Sequence, residues 1–178
     1  NLFQFGESKC TLSKDLFPEL KSDFIIMHPP SKVMNWQNHN SYLDPRFEYG
    51  LTSKNNPDLA WIQHAIYHLN SNGKAVVFLS QSSLYTSTKS EISIRKNIIK
   101  NNLLEAIITL PGGFLNHSGL STCIWVLNKA KDTEDILLLK SDSFFKSDNK
   151  RIAFSDSALK KIIEIYNEFL EVENISRI

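Results

Sequence analysis

A short apolar stretch that ends in two prolines constrains the fold of this chain more than any other feature. The apolar run 24–27 is followed directly by His28, Pro29 and Pro30. Such a run is typical of a buried strand, and two prolines fix the backbone and remove two donors, so the strand must end there. In open α/β sheets, ligands bind beyond the carboxyl ends of strands. We therefore expect the loop 28–32 to carry chemistry, although an ordinary strand followed by a turn would show the same spacing.

Apolar periodicity predicts alternating helices and strands along the rest of the chain. Asn56-Pro57-Asp58 combines a capping side chain, a proline suited to the first turn and an acid, so a helix starts there. Asn70-Ser71-Asn72-Gly73 is predicted to end it. The pattern predicts helices over residues 56–69, 90–102 and 155–173, and strands over 9–12, 75–79, 103–110, 122–127 and 136–139.

The order of these elements predicts an α/β fold. Alternation of strands and helices is typical of a mostly parallel sheet with helices on both faces. The last strand pair has no helix between its members, which predicts antiparallel strands at one edge. The tract 33–56 is long and polar but rich in aromatic residues, so we expect an ordered loop beside the site.

Composition limits the class of protein. With 178 residues, 42% hydrophobic and 22% charged, the chain suits one globular domain over residues 1–178. The net charge of +1 attracts no polyanion in general, so a nucleic-acid contact must come from a local patch. No apolar run approaches the roughly 18 to 20 residues that span a bilayer, so no membrane contact is expected. Cys10 and Cys123 are isolated, which favours reduced, buried thiols in a cytoplasmic protein.

Other patterns give weaker indications of chemistry. His28 could act as an acid, a base or a hydrogen-bonding group, or could simply satisfy a turn. His64 and His68 lie four residues apart, but the glutamate of a zinc-protease helix is absent, so we favour a helix surface and expect no metal. Pro111-Gly112-Gly113 lacks the spaced glycines and the lysine of a P-loop, which favours a structural turn. The serines that follow residue 79 form no Gly-x-Ser-x-Gly elbow, so hydrolase chemistry has no support.

Several motifs in collinear order resemble one family of enzymes. The stretch from Asp23 to Pro30 resembles the strand and Asn-Pro-Pro-aromatic loop of adenine-specific DNA methyltransferases. Later segments resemble the methylation (M) subunits of type I restriction-modification systems. These segments are Tyr49-Gly50, Asp58-Leu59-Ala60-Trp61-Ile62-Gln63-His64, Leu69 with Gly73-Lys74-Ala75, Ile94-Arg95-Lys96, Asn102-Leu103-Leu104-Glu105-Ala106-Ile107-Ile108, Leu110-Pro111-Gly112-Gly113-Phe114, Gly119-Leu120-Ser121-Thr122-Cys123-Ile124 and Asn128-Lys129. The resemblance covers nearly the whole chain.

The resemblance implies a Rossmann-like class I methyltransferase fold and methyl transfer from S-adenosylmethionine to the exocyclic amino group of adenine in DNA. In the family the base leaves the stack. An Asn side chain and the next proline carbonyl then accept hydrogen bonds from the amino group, and the following aromatic stacks on the base. The matching catalytic positions here are His28, Pro29, Pro30 and Ser31. The implied partners are DNA and the specificity and restriction subunits of a type I system.

The catalytic loop departs from the family pattern at two positions. His28 replaces Asn or Asp, and a neutral imidazole accepts only one hydrogen bond. Ser31 replaces the aromatic, so a stacking contribution of about 1 to 3 kcal/mol per base is lost unless another ring supplies it. Trp36 is the candidate ring, and Lys32 is a second candidate DNA contact.

The cofactor site is incomplete in this sequence. No Asp-Pro-x-x-Gly-x-Gly turn precedes the Pro-Pro loop, and the chain starts with Asn1 in place of Met. We therefore interpret residues 1–178 as the carboxyl-terminal part of a catalytic domain. Asp15 loosely matches the acid that touches the adenine of the cofactor. We expect this fragment to bind S-adenosylmethionine weakly or not at all and to be inactive alone; the alternative is a non-catalytic methyltransferase-like assembly or DNA-binding module with a degenerate loop.

Overall fold

A five-stranded mixed sheet organises the structure. The computed structural model describes residues 10–30, 33–113, 121–145, 147–148, 151–152 and 155–175. Its helices and strands are β1 (Ser22–Met27), α1 (Asp58–His68), β2 (Leu69–Ser80), α2 (Ser82–Tyr85), α3 (Lys89–Lys100), β3 (Leu104–Leu110), β4 (Thr122–Asn128), β5 (Leu137–Lys140), β6 (Ser147–Asp148), β7 (Arg151–Ile152) and α4 (Asp156–Ile175). Short 3-10 helices occupy Ser41–Leu43, Pro45–Phe47 and Asp142–Phe144.

The strands of the large sheet lie in the order β1-β2-β4-β3-β5. β1 pairs with β2 in parallel, and β3 pairs with β5 in parallel. β4 runs antiparallel to both of its neighbours, β2 and β3. The predicted α/β class with a mostly parallel sheet is confirmed. The reversed strand, however, lies inside the sheet and not at its edge, because the chain returns after β3 into the space between β2 and β3.

The boundary between α1 and β2 differs from the prediction. Residues 70–73, predicted to stop the helix, belong to β2, which begins immediately after α1 ends at His68. Gly73 is required within this strand for a different reason from helix termination. A Cβ at that position would lie only 2.8 Å from the carbonyl oxygen of Ser22. The glycine therefore permits the close approach of β1 to β2.

The segment before β1 is a series of turns. The amide of Ser13 donates to the carbonyl oxygen of Cys10 at 2.9 Å, and residues 11–13 form a turn. The prediction of a strand over 9–12 is therefore wrong for residues 10–12, and Lys9 lies outside the described residues.

The tract 33–56 is ordered, as predicted, because its aromatic side chains build a second core. Trp36 and Phe47 meet edge to face with ring centroids 5.2 Å apart. They pack with Leu12 from the preceding segment and with Ala60 and Trp61 of α1. Burial of these rings joins the tract and the amino-terminal turns to one side of α1.

The main core lies between one face of the sheet and the helices α1 and α3. Along β2, Ala75, Val77 and Leu79 are buried, whereas the alternating Val76 and Phe78 are half-buried. The period of two is that of a strand with one fully covered face. The helix residues in the same core are Leu59, Ile62, Ala65, Ile66, Ile94 and Ile98.

Helix α4 contacts the opposite face of the sheet through one carboxylate. Glu105 is buried and accepts hydrogen bonds from Lys74 Nζ at 3.0 Å, from Asn128 and from the hydroxyl of Tyr166 in α4. The Lys74 ammonium thus pairs with a buried charge that would otherwise be unfavourable. Within the described residues, no helix has both the length and the apolar character required to cross a membrane.

The same face is uncovered near β1. Phe24 is 57% exposed and Ile26 is 70% exposed, although both lie in a strand. Their register partners in β2 are Lys74 and Val76. Among the described strands, β1 has β2 as its one neighbour. Within the described residues, the end of the sheet that carries β1 therefore presents apolar side chains and an unpaired backbone edge to solvent.

Candidate catalytic loop

His28 lies directly after β1, at the carboxyl end where the sequence places the candidate loop. Met27 pairs with Val77 in the parallel register, so His28 comes beside Phe78 of β2. Their rings meet edge to face, with centroids 6.2 Å apart and planes inclined by 67°. His28 itself is exposed. The imidazole is therefore accessible from solvent while one side of it is bounded by an aromatic ring.

The two prolines after His28 have different surroundings. Pro29 is buried and Pro30 is exposed. Since proline fixes φ, a buried Pro29 holds the start of the loop in one backbone path. Ser31 and Lys32 lie outside the described residues, so their assignments to catalysis and to DNA contact stay predictions.

Trp36, the candidate stacking residue, is a core residue in this structure. It is 1% exposed, and its indole Nε1–H donates to the carbonyl oxygen of Ser53 at 3.0 Å. Its ring packs against Phe47. Because both faces of the indole are covered, the expectation that Trp36 stacks on a base or contacts DNA does not hold for this structure. The ring fixes the 33–56 tract instead.

Asp15, the candidate cofactor contact, is held by protein groups. Its Oδ1 accepts from the amide of Phe17 at 2.9 Å, and its Oδ2 lies 2.8 Å from His68 Nε2. Burial raises the pKa of the carboxyl, but the hydrogen bonds from Phe17 and His68 and the charge of Arg46 outweigh it, so the pKa lies below its ordinary value. The role of Asp15 toward a cofactor stays a prediction, and the described residues offer no other group that we assign to S-adenosylmethionine.

Arg46 connects Asp15 and the amino-terminal turns to α1. Its guanidinium binds both carboxylate oxygens of Asp44 and donates to the carbonyl oxygens of Thr11 and Leu12, each at 2.9 Å. One of its terminal nitrogens lies 3.1 Å from His64 Nδ1. The side chain is almost fully buried. Arg46 is thus the cation around which two loops and a helix meet, and the sequence contains no local pattern that indicates this.

The sequence favours a solvated helix surface for the two histidines of α1, and the structure contradicts this prediction. His68 is buried and His64 is half-buried, with ring centroids 4.5 Å apart. Burial lowers the pKa of His64 to about 4, and the charges of His68 and Arg46 act in the same direction. His64 is therefore neutral at physiological pH, and its Nδ1 accepts the Arg46 hydrogen bond.

Asp15, His64 and His68 bring three possible metal ligands within 4.8 Å of one another. Arg46 occupies the place that a metal ion would need, because one guanidinium nitrogen lies 3.1 Å from His64 Nδ1 and 3.8 Å from Asp15 Oδ2. A divalent ion would have to displace a guanidinium that Asp44 and two carbonyl groups hold. The cluster is better explained as a charged structural contact.

Two buried acids lie near the amino ends of α1 and α3. Asp58 and Glu91 are both buried, and Glu91 Oε1 accepts from Asn56 Nδ2 at 3.1 Å. Glu91 Oε2 has no hydrogen-bond partner among the described residues. Burial, with the charge of Glu91 as a smaller cause, raises the pKa of Asp58 to about 6. Sequence reasoning assigns Asp58 only a helix-start role, since the approach of Glu91 depends on tertiary packing.

The two cysteines are free thiols, as predicted. Cys123 is fully buried in the main core, and burial raises its pKa to about 11. Cys10 is half-buried. A buried thiol with a raised pKa remains protonated at neutral pH, so Cys123 acts as a small apolar side chain.

A family model and several relatives match most of this chain. A family model described as N-6 DNA Methylase matches residues 5–178. The methylase subunit of the type I restriction enzyme HindI from Haemophilus influenzae is 40% identical over 111 residues, which are 62% of this chain and 25% of that protein. The methylase subunit of the type I restriction enzyme MpnII from Mycoplasma pneumoniae is 28% identical over 161 residues, which are 87% of this chain and 29% of that protein. The chain therefore spans less than a third of the length of either relative.

Solved structures have the same fold. The type I restriction-modification methyltransferase subunit from Streptococcus thermophilus superposes with a TM-score of 0.83 at 24% identity, covering 90% of this chain and 35% of that one. A protein described as a class I S-adenosylmethionine-dependent methyltransferase from Listeria monocytogenes gives a TM-score of 0.57 at 18% identity, over 84% of this chain and 43% of that one. At these identities the likeness shows the fold, which is the class I methyltransferase fold. With the family-model match over nearly all of its residues, this chain belongs to the N-6 DNA methylase family.

Proposed function

We propose that residues 1–178 are the carboxyl-terminal part of the catalytic domain of a DNA adenine methylase, the M subunit of a type I restriction-modification system. The observation that carries the proposal is the position of His28. In a chain of this family, the exposed imidazole and the Pro29-Pro30 pair lie at the carboxyl end of a sheet strand, where the family acts on the base. The named relatives are methylase subunits of type I restriction enzymes.

The reaction we propose is methyl transfer to the exocyclic amino group of adenine. The neutral imidazole of His28 accepts one hydrogen bond from that amino group, and the carbonyl oxygen of Pro29 accepts the other. This arrangement directs the nitrogen lone pair toward the methyl donor. A protonated imidazole donates only, so the unprotonated form of His28 is the active one.

S-adenosylmethionine is the methyl donor that we propose for the whole protein. DNA and the specificity and restriction subunits of a type I system are the proposed partners, and the cytoplasm is the proposed compartment. The near-zero net charge fits an arrangement in which another subunit supplies most of the contact with the polyanion. The fragment by itself is proposed to be inactive, because Asp15 is the one described residue assigned to the cofactor and residues 1–178 contain no Asp-Pro-x-x-Gly-x-Gly turn.

The second candidate is a non-catalytic assembly or DNA-binding module. The replacement of Asn by His28 and of the aromatic by Ser31 favours it, since both substitutions remove groups that the family uses on the base.

Methyl transfer by the intact parent protein separates the two candidates. The parent chain is assayed with its specificity subunit, labelled S-adenosylmethionine and adenine-containing DNA. Two variants are measured in parallel: the single variant His28→Ala, and the double variant that combines His28→Asn with Ser31→Phe. We expect transfer by the unaltered protein and a loss of about a hundredfold or more in His28→Ala, the effect of removing one positioned polar group. Silence of the unaltered protein with activity in the double variant would instead establish the non-catalytic candidate.

A further inference from the structure

Phe78 is the aromatic ring that the structure places against His28. The two rings lie 6.2 Å apart between centroids in an edge-to-face geometry, which is within the range of a favourable aromatic pair. Phe78 belongs to the half-buried face of β2, not to the face that enters the main core. Its side chain therefore lies on the face of the sheet opposite Val77 and Leu79, where it contacts His28.

His28 requires a neighbour of this kind for its proposed role. A neutral imidazole has one acceptor nitrogen, so the ring must be oriented for that nitrogen to meet an amino group. His28 is exposed, and exposed side chains change rotamer freely. Pro29 fixes the backbone beyond His28 but leaves the side-chain torsions unrestricted. A ring on the adjacent strand limits those torsions from one side.

Neither Trp36 nor the residue at position 31 can orient the His28 ring in this way. Trp36 is buried in the second core and bonded to Ser53. Position 31 is serine, which has no ring. Phe78, by contrast, follows from the register itself, because the pairing of Met27 with Val77 brings the next two residues side by side. The contact is thus built into the parallel pairing of β1 and β2.

We propose that Phe78 is a positioning residue that holds the His28 imidazole in the orientation needed to accept a hydrogen bond from adenine. This inference rests on the proposed function. It assigns to β2 a part in the site that the loop motif alone does not indicate.

The test uses the whole parent protein with its specificity subunit and compares Phe78→Leu, Phe78→Tyr and the control Val76→Ala. Val76 lies on the same face of β2, two residues earlier, and is likewise half-buried. Phe78→Leu should lower kcat by about threefold to tenfold, the equivalent of one aromatic pair, with the KM for S-adenosylmethionine unchanged. Phe78→Tyr should retain kcat within about twofold because the ring remains, and Val76→Ala should leave it unchanged.

A double-mutant cycle with His28→Asn distinguishes positioning from a general structural effect. If Phe78 acts through His28, Phe78→Leu should lower kcat by less than about twofold in the His28→Asn background, because the pair is already broken. An equal loss in both backgrounds would overturn the proposal. So would a loss of thermal stability that accounts for the whole decrease in kcat.

A second measurement does not require catalysis. The rate at which diethyl pyrocarbonate modifies His28 in the parent protein is followed by mass spectrometry. Phe78→Leu should increase this rate about threefold or more, since a packed ring worth of order 1 kcal/mol is removed, whereas Val76→Ala should not. An unchanged rate would contradict the positioning role. If the unaltered protein transfers no methyl group but Phe78→Leu still increases the rate of His28 modification, the proposed function is wrong and the contact between Phe78 and His28 is supported.

Discussion

Nε2 of His68 lies 2.8 Å from Oδ2 of Asp15, while the other ring nitrogen of His68 lies 2.8 Å from the carbonyl oxygen of Leu20. The carbonyl oxygen of Leu20 can only accept a hydrogen bond, so Nδ1 of His68 is its donor, and Nε2 faces the Asp15 carboxylate. The pair joins α1 to the turns that precede β1. Those turns lead directly into the strand that presents His28.

Asp15→Asn should lower the free energy of unfolding by about 1 to 3 kcal/mol, because it removes the ionisable partner of the buried His68 ring. The pKa of Asp15 is lowered in the folded state. Its contribution is therefore present above the unfolded pKa and is lost as pH falls through the folded value. Urea unfolding between pH 3 and pH 7 measures this. Glu19→Gln, at an exposed acid of the same segment, is the control, and equal effects of the two variants would refute the assignment.

Arg46→Lys should destabilise the protein even though the charge is kept. The guanidinium contacts Asp44 through two nitrogens, Nε and Nη2, and donates to the carbonyl oxygens of Thr11 and Leu12. An ammonium has three donors without the fork geometry, so buried acceptors lose partners at about 1 to 3 kcal/mol each. Thermal unfolding measures the change, with exposed Lys54→Met as the control. A melting temperature equal to that of the unaltered chain would contradict this account of the cluster.

Asp58→Asn should stabilise the protein at neutral and alkaline pH. The folded-state pKa of about 6 exceeds the ordinary value of 3.8, so folding is opposed by the charged carboxylate. Stability from this group is full below the unfolded pKa and decreases as pH rises through 6. The shift corresponds to at most about 3 kcal/mol.

The measurement is the free energy of unfolding between pH 4 and pH 8 for Asp58→Asn and for Asp156→Asn. Asp156 occupies the first turn of α4, as Asp58 does in α1, but it is exposed. The stability of Asp58→Asn should depend less on pH than that of the unaltered chain, and Asp156→Asn should show the original dependence. A steeper pH dependence of stability in Asp58→Asn would show that the pKa of Asp58 is not raised by folding.

The exposed side chains of β1 should make the 178-residue chain self-associate. Phe24 and Ile26 add an apolar surface to a strand edge that no other described strand pairs with, and such edges are sites of association. Replacing both with threonine, which keeps the strand preference, should increase the monomer fraction in size-exclusion chromatography at several concentrations. Tyr42→Ser is the matched control because Tyr42 is 71% exposed but lies in a 3-10 helix. An equal increase with the control would exclude β1 as the cause.

Local patterns in the sequence predict the fold class because most elements here have strong periodicity. The helix at Asp58 and the buried strand within 75–79 follow from residues close together in the chain. The start of β2 at Leu69 does not, since Leu69 pairs with Ser22 of β1, 47 positions earlier in the chain. The placement of β4 inside the sheet is likewise a matter of topology, which a strand's own sequence does not specify.

The candidate site was accessible to sequence reasoning only at the loop itself. The Pro29-Pro30 pair identifies the end of β1, and the structure puts His28 there. Trp36 illustrates the limit of sequence reasoning. The local sequence around an aromatic residue does not show whether its ring faces a ligand or packs in a core. Phe78 lies 50 positions after His28, and only the register of the parallel strands brings the two rings together.

The most direct test of the central claim is the modified base itself. DNA from cells that express the parent protein with its specificity subunit is digested to nucleosides, and N6-methyladenine is measured by mass spectrometry. The account predicts N6-methyladenine above the level of cells without the protein, and a return to that level in the His28→Ala variant. DNA without N6-methyladenine, in the presence of folded parent protein that binds both DNA and S-adenosylmethionine, would contradict it.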